Sequence, residues 1–335
     1  MNYIELINRL LKPQKHNGIK VLDLFAGAGG LALGFEAQGF ETIGYEMDED
    51  CCKTYSRNLH SPCIKNYITT ETIFPKVDVI IGGPPCQPFS VRGHQYGSKD
   101  ERNGFPAFIK AVEIIKPKFF LIENVKGLLY KNQEYFRKII KELEFLGYKI
   151  DYDLFNAVDF GVPQKRERVI IVGHKGNFTF PTKLNKIITA GEALGELAFS
   201  VPFDAKFLTS NMEEYIAKYE AKSACITPRD LHLDKPARTL TCRNLAGATS
   251  DMHRIKLPNG KRRRITIREA ARLQSFPDYY VFEGTETSIF NQIGNAVPPL
   301  FAFQLAEKIK DYFNLKSFKN QLSIYQRINQ PTLIK

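Results

Sequence analysis

Apolar and polar positions along the first half of the chain follow two patterns in alternation. Short, nearly unbroken apolar runs are separated by stretches in which apolar residues return every three or four positions. The first pattern suits strands covered on both faces, the second helices covered on one. Strands are predicted at Lys20 to Phe25, Thr42 to Glu46, Val77 to Ile81, Phe119 to Glu123, Lys149 to Phe155 and Arg168 to Val172. Between them, Asp48 is placed to cap a helix through Cys52 and Tyr55, and Phe108, Ile109, Val112 and Ile115 form a stripe that ends at Pro117. Strands alternating with helices predict βαβ units and an α/β fold with a doubly wound, mostly parallel sheet.

From about residue 175 to 262 the alternation fades into scattered Gly, Pro and Asn with no clear period, which predicts a smaller, irregular domain. Regularity returns at Thr266-Ile267-Arg268-Glu269, a capping box opening a helix that runs to Gln274 and is stopped by Pro277. A last helix opens at Pro298-Pro299 and runs to about Phe313, and Lys316 to Lys335 reads as a loosely packed tail. The expected division is one domain from 1–175 and 285–335, and a second from 176–284.

Composition narrows the class. With 43% hydrophobic and 25% charged residues the chain is of ordinary globular make-up. No apolar run approaches the roughly 18 residues of a membrane span. The start, Met1-Asn2-Tyr3-Ile4-Glu5, lacks the basic-then-apolar pattern of a signal peptide, so a cytoplasmic protein without membrane contact is expected. The cysteines at 51, 52, 63, 86, 225 and 242 show no C-x-x-C spacing, and neither disulfides nor a metal site is expected. A formal charge of +11 points to a polyanionic partner. The densest basic cluster is Lys261-Arg262-Arg263-Arg264, with Lys235, Arg238, Arg243 and Arg254 shortly before it. A solvated face is the ordinary fate of such a cluster; its place in an irregular segment favours phosphate contact.

Two loops carry the chemistry. Gly82-Gly83-Pro84-Pro85-Cys86-Gln87-Pro88-Phe89-Ser90 sets one thiol on a proline-stiffened loop after a buried strand, at the strand end where ligands gather in parallel sheets. A structural cysteine is the commoner fate of a free thiol, but the flanking prolines and polar residues favour a nucleophile. Asp23-Leu24-Phe25-Ala26-Gly27-Ala28-Gly29-Gly30-Leu31 follows the first strand and opens a helix, so the backbone can approach a nucleoside closely. Glu46, nineteen residues after Gly27, ends the second strand where it can accept from ribose hydroxyls. A nicotinamide enzyme would share these features, but no hydride-transfer apparatus accompanies Cys86.

Together with these loops, ENVKGL at 123–128, QKRERV at 164–169, REAARLQSFPDYY at 268–280 and GNAVPP at 294–299 make the chain resemble the cytosine-5 DNA methyltransferases of bacterial type II restriction-modification systems. The resemblance covers nearly everything outside the irregular domain. It implies an S-adenosylmethionine-dependent methyltransferase fold with a small target-recognition domain, double-stranded DNA as substrate, and no metal. It also implies a thiolate mechanism, because C5 of cytosine is too poor a nucleophile to take a methyl group unaided. Cys86 adds to C6 of a flipped-out cytosine, Glu123 protonates N3, and Arg168, with Arg166 two residues earlier, stabilises charge on the ring. The cofactor falls to Phe25, Ala26, Gly27, Gly29, Gly30, Leu31, Glu46, Met47, Pro85 and Phe105, with Asn295 and Ala296 returning from the far end of the chain. Many relatives carry an Asp where this chain reads Lys65-Asn66-Tyr67-Ile68, so Asn66 and Tyr67 stand at the adenine, Asn66 offering its carbonyl oxygen. DNA contacts are expected from Gln87 and Ser90, from Arg238, Thr239, Arg243 and Asn244, and from Lys261, Arg262 and Arg263. A cognate restriction endonuclease acting on the same site without direct contact fits this setting, and a working monomer is the simplest arrangement. Methylation of tRNA, or DNA binding without catalysis, are the competing readings; intact Cys86, Glu123 and Arg168 speak against the latter.

Overall fold

The apolar runs pair edge to edge into one sheet. The computed structural model describes residues 1–85, 103–203, 205–222, 229–247 and 251–313. Its sheet strands are β1 (Lys20–Leu24), β2 (Glu41–Glu46), β3 (Cys63–Lys65), β4 (Val79–Gly82), β5 (Phe119–Val125), β6 (Lys149–Asn156) and β7 (Glu167–His174). Their order is β3-β2-β1-β4-β5-β7-β6. The pairings from β3 across to β5 are parallel, whereas β7 runs antiparallel to both β5 and β6. Each predicted strand is present. The short edge strand β3 is the one that the apolar pattern did not announce.

Alternate residues of the central strands enter two separate cores. Leu22, Ile80, Phe120, Ile122 and Ile171 lie on one face, packed with α4 (Phe105–Ile115) and α6 (Gln133–Phe145). Val21, Val79, Ile81, Phe119, Leu121, Ile170 and Val172 lie on the other. That face is covered by α1 (Tyr3–Leu10), α2 (Gly30–Glu36) and the C-terminal α12 (Pro299–Tyr312). Covering both faces explains why β4 and β5 are apolar without alternation. Helix α4 ends as the sequence indicates, with Lys116 in the left-handed region (φ 52°) ahead of Pro117. Helix α12 returns to the first βα unit because Gly34 leaves room: a Cβ there would lie 2.4 Å from the Phe303 amide nitrogen.

The remaining elements are α3 (Glu49–Asn58), α5 (Gly127–Tyr130), α7 (Ala190–Leu194), α8 (Ser210–Lys222), α9 (Cys242–Ala246), α10 (Ile267–Leu273) and α11 (Glu286–Asn295), with a second small sheet of β8 (Arg254–Lys256) and β9 (Arg262–Arg264). Asp48 caps α3 through the Cys51 amide, and Thr266 with Glu269 forms the expected box on α10. Segments just inside both expected boundaries pack against the rest of the chain. Helix α7 buries Ala190, Ala193 and Leu194 in the large core. After α10, Tyr280 Oη donates to the Ala28 carbonyl (2.5 Å), Tyr279 Oη to that of Leu11 (2.7 Å), and the Asp278 amide to Asn8 Oδ1 (2.6 Å). Residues 266–284 are therefore fastened to α1 and the first loop. The tail from Lys316 to Lys335 lies outside the described residues.

Candidate active site

The carboxyl ends of β1, β2, β4 and β5 meet at one edge of the sheet, and the two sequence loops lie there. Strand β1 stops because Phe25 turns left-handed (φ 59°), and Gly27 and Gly29 follow with φ 52° and 77°. The loop is held by its neighbour strand: the Ala26 amide donates to the Tyr45 carbonyl (3.1 Å) and the Gly27 amide to Glu46 Oε2 (2.9 Å). Glu46 Oε1 accepts from the amides of Met47 (2.8 Å) and Asp48 (3.0 Å), so three backbone donors fix this carboxylate at the strand end. Beneath it Asp23 is buried. Burial, and then the Glu46 charge, raise its pKa well above the ordinary carboxylate value.

Glycine is required at position 30 for a separate reason. A Cβ there would stand 2.5 Å from the Val297 carbonyl and 3.2 Å from Ala296 Cβ. Ala296-Val297 thus reaches the glycine loop from the far end of the chain, Ala296 standing 266 positions after Gly30. Met47 and Tyr67 are 61% and 57% exposed, unusual for apolar side chains at a strand end. The Asn66 amide donates to the Glu46 carbonyl (2.8 Å), and Asn66 Oδ1 is buried with no hydrogen-bond partner in the structure. Phe25, Pro85 and Gly104 converge; a Cβ on Gly104 would lie 2.5 Å from Pro85 Cδ and 2.8 Å from Phe25 Cζ. A cradle of left-handed glycines, exposed apolar flanks and an unpaired amide oxygen suits a nucleoside cofactor. Phe105 is placed differently from expectation. It is fully buried in the core, edge-on to Tyr135 at 6.0 Å, and backs the site from beneath.

Glu123 lies on β5, 8% exposed, with its Oε1 2.8 Å from Arg168 Nε. Antiparallel β7 makes this pairing, because its register sets Arg168 opposite Val125 and Ile170 opposite Glu123. The loop after β4 lies against the pair: a Cβ on Gly83 would be 3.3 Å from Glu123 Oε2. Asn124 Nδ2 donates to the Pro84 carbonyl (2.9 Å) and secures that loop, a role the sequence reading did not find. Cys86, Gln87 and Ser90 lie outside the described residues, but their loop departs from this point.

Arg166 does not accompany Arg168. It is 1% exposed and donates through Nη1 to the Leu240 carbonyl (2.9 Å) and through Nη2 to those of Gly294 (3.2 Å) and Asn295 (3.4 Å). Burial, and then Arg168, press its pKa down to about 9. Its guanidinium joins chain segments instead of facing a base.

The expected DNA contacts divide in the same way. Arg263 is fully buried, paired with Glu269 (2.9 and 2.7 Å), and cannot reach a phosphate. Asn244 is 4% exposed and spends its side chain on the Thr241 amide (2.8 Å) and the Thr239 carbonyl (2.9 Å), serving the capping box of α9. Arg262 pairs with Asp230 (3.0 Å) and Glu213 (2.5 Å), Arg238 with Asp251 (2.8 Å), and Thr239 Oγ1 donates to the Lys165 carbonyl (2.6 Å). Arg243 and Lys261 remain exposed, with no acidic partner for their side chains among the described residues. The basic cluster is thus largely an internal ion-pair network built on β9.

A family model of C-5 cytosine-specific DNA methylases matches residues 19–311. The chain belongs to this family. The methylase is 53% identical over 315 residues to the type II methyltransferase M.AplI of Arthrospira platensis, covering 92% of this chain and 91% of that one. It is 37% identical over 350 residues to M.FnuDI of Fusobacterium nucleatum, covering 94% and 99%. Among solved structures it is similar to a DNA modification methyltransferase encoded within an E. coli prophage, with TM-score 0.67 and 25% identity over 89% of this chain and all of that one. The methylase is therefore an enzyme of the bacterial type II restriction-modification kind that transfers a methyl group from S-adenosylmethionine to cytosine in DNA. Among the described residues no cluster of three or more metal-ligating side chains occurs, and no helix is long and apolar enough to cross a membrane.

Proposed function

We propose that this methylase acts through a thiolate adduct of Cys86 on C6 of a cytosine swung out of the duplex, with Glu123 and Arg168 as the groups that face the base. The Glu123–Arg168 pair beside the Gly83–Pro85 loop carries this reading. Attack by the Cys86 thiolate at C6 breaks the ring's aromaticity and moves electron density to N3 and C5. Glu123 delivers a proton to N3 as charge develops there, and the Arg168 guanidinium offsets charge on the ring and orients the carboxyl. C5 then has enamine character and can take a methyl group; loss of the C5 proton to water, expulsion of the thiolate from C6 and return of the N3 proton to Glu123 restore the ring. S-adenosylmethionine, when bound, supplies that methyl group from a sulfonium. Glu46 would hold its ribose, Asn66 Oδ1 its adenine amino group, and Met47 and Tyr67 the faces of its purine. Phe25, Ala26, Gly27, Gly29, Gly30 and Leu31 would form the floor, with Pro85, Asn295 and Ala296 closing it.

The DNA-reading domain on this account lies within 176–284, with residues 278–280 hydrogen-bonded back to α1 and the first loop. Of the cations expected at the DNA, Arg243 and Lys261 are exposed with no acidic partner among the described residues and would serve phosphate contact, with Gln87 and Ser90 contributing from the Cys86 loop. The test is base-resolution bisulfite sequencing of DNA from a methylase-free host expressing the chain or its Cys86→Ala form. Conversion of one short motif only with the intact chain is expected. Methylation retained in Cys86→Ala would remove the thiolate step, and methylation of tRNA with none of DNA would transfer the reading to RNA.

A further inference from the structure

One buried cation ties three distant stretches of chain together beside the glycine loop. Arg166 bonds the carbonyls of Leu240, Gly294 and Asn295, so the DNA-reading domain and the end of α11 share one guanidinium with β7's approach strand. The junction is tight. A Cβ on Gly294 would lie 2.6 Å from the Cys242 amide nitrogen and 2.8 Å from the Thr241 carbonyl carbon, so only glycine lets α9 approach α11 this closely. At the point of contact the Cys242 thiol donates to Asn295 Oδ1 at 3.0 Å. Burial raises the thiol's pKa, which keeps it a protonated donor at neutral pH. An amide whose oxygen is occupied in this way turns its NH2 outward, and Asn295 is exposed next in sequence to Ala296, which lies against Gly30.

We propose that Cys242 and Arg166 are positioning residues for the cofactor: Arg166 holds the Asn295 backbone and Cys242 its side-chain oxygen, so that Nδ2 faces an oxygen acceptor of the bound cofactor. This rests on the reading that Asn295 contacts the cofactor. Because Leu240 and Cys242 belong to the DNA-reading segment, the arrangement also links the seating of that segment to cofactor retention. Serine retains a donor at position 242, whereas alanine leaves the amide free to rotate.

The experiment is calorimetric titration of S-adenosylhomocysteine into the full chain without DNA, for wild type, Cys242→Ser, Cys242→Ala and Asn295→Ala, with the melting temperature recorded for each. Cys242→Ala is expected to weaken binding by about five- to tenfold, the size of one net hydrogen bond. Cys242→Ser should restore it to within about twofold of wild type at unchanged melting temperature. Equal losses in the serine and alanine forms would indicate packing alone and overturn the proposal. So would wild-type affinity in Cys242→Ala while Asn295→Ala loses binding. Wild-type affinity in Asn295→Ala would instead overturn the assignment of Asn295 to the cofactor.

Discussion

Replacing Arg263 by methionine separates two accounts of the basic cluster. In the folded protein neither Arg263 nor Glu269 has any exposed side-chain surface, and two short hydrogen bonds join them. The guanidinium also serves the carbonyls of Leu197 (3.0 Å), Ser200 (3.2 Å) and Arg264 (3.2 Å). Methionine fills much of the volume but leaves the Glu269 carboxylate buried, with only the Thr266 amide (2.7 Å) and hydroxyl (3.1 Å) as donors. Breaking a buried pair from one side costs about 3–5 kcal/mol, against a typical total stability of about 5–15 kcal/mol. Urea unfolding followed by circular dichroism should register that loss, and Arg263→Met with Glu269→Leu should recover part of it because no unpaired charge remains. A phosphate contact predicts the reverse: stability within about 0.5 kcal/mol of wild type, and a salt dependence of DNA affinity shallower by about one unit in the log–log slope. That second outcome would refute the internal role.

Other substitutions test other parts of the structure. Arg243→Ala and Lys261→Ala, on exposed side chains, should leave urea unfolding unchanged and each reduce the salt slope of DNA binding by about 0.9. Glu123→Gln keeps the shape but removes the proton, and single-turnover methylation should slow by about 10²- to 10⁴-fold with cofactor affinity retained. Gly30→Ala forces a methyl against the Val297 carbonyl, and S-adenosylhomocysteine affinity in calorimetry should fall by about tenfold or more. Burial of the Asp278 carboxyl opposes its ionisation, yet Arg272, bonded to both oxygens (2.8 and 2.7 Å), outweighs burial and lowers its pKa. A carboxylate with a lowered folded pKa contributes stability above its unfolded value, about 3.9, that is lost as pH falls through the folded one. Asp278→Asn should therefore flatten the acid limb of a stability–pH curve measured by urea unfolding.

Much of the sheet was legible because its strands are buried on both faces, which writes continuous apolar runs into the sequence. Strand β3 was not, since Cys63-Ile64-Lys65 is a three-residue edge strand, half-buried at Cys63 and exposed beyond it, with nothing to set it apart from a loop. The glycine loop, Glu46, Glu123 and Arg168 were readable through local spacing and motif, and they converge on one edge as expected. The role of Arg166 was not, because its acceptors are carbonyls 74, 128 and 129 positions away, and a carbonyl has no residue signature. The Lys261–Arg264 cluster misled for a different reason. A charged run laid along a strand alternates faces, so Arg263 turns inward to a carboxylate six residues on while Arg262 and Arg264 on either side stay partly exposed, and Lys261 precedes the strand and lies in water. The packing of SFPDYY was hidden too: its aromatic residues have no helical or strand period, and only tertiary contact reveals that Phe276 and Tyr280 belong to the main core.

Residues 197–208 and 262–264 are fastened side by side. Arg263 bonds the carbonyls of Leu197 and Ser200, the Leu208 amide donates to the Arg262 carbonyl (3.0 Å), and that of Arg264 to the Lys206 carbonyl (2.9 Å). These bonds hold the two rims of the intervening stretch against each other. Closing a longer excursion costs only about 0.6 kcal/mol for each doubling of length. Length can therefore be added between these rims at little entropic cost, provided that 237–242, bonded to Lys165, Arg166 and Asn295, keeps its seat.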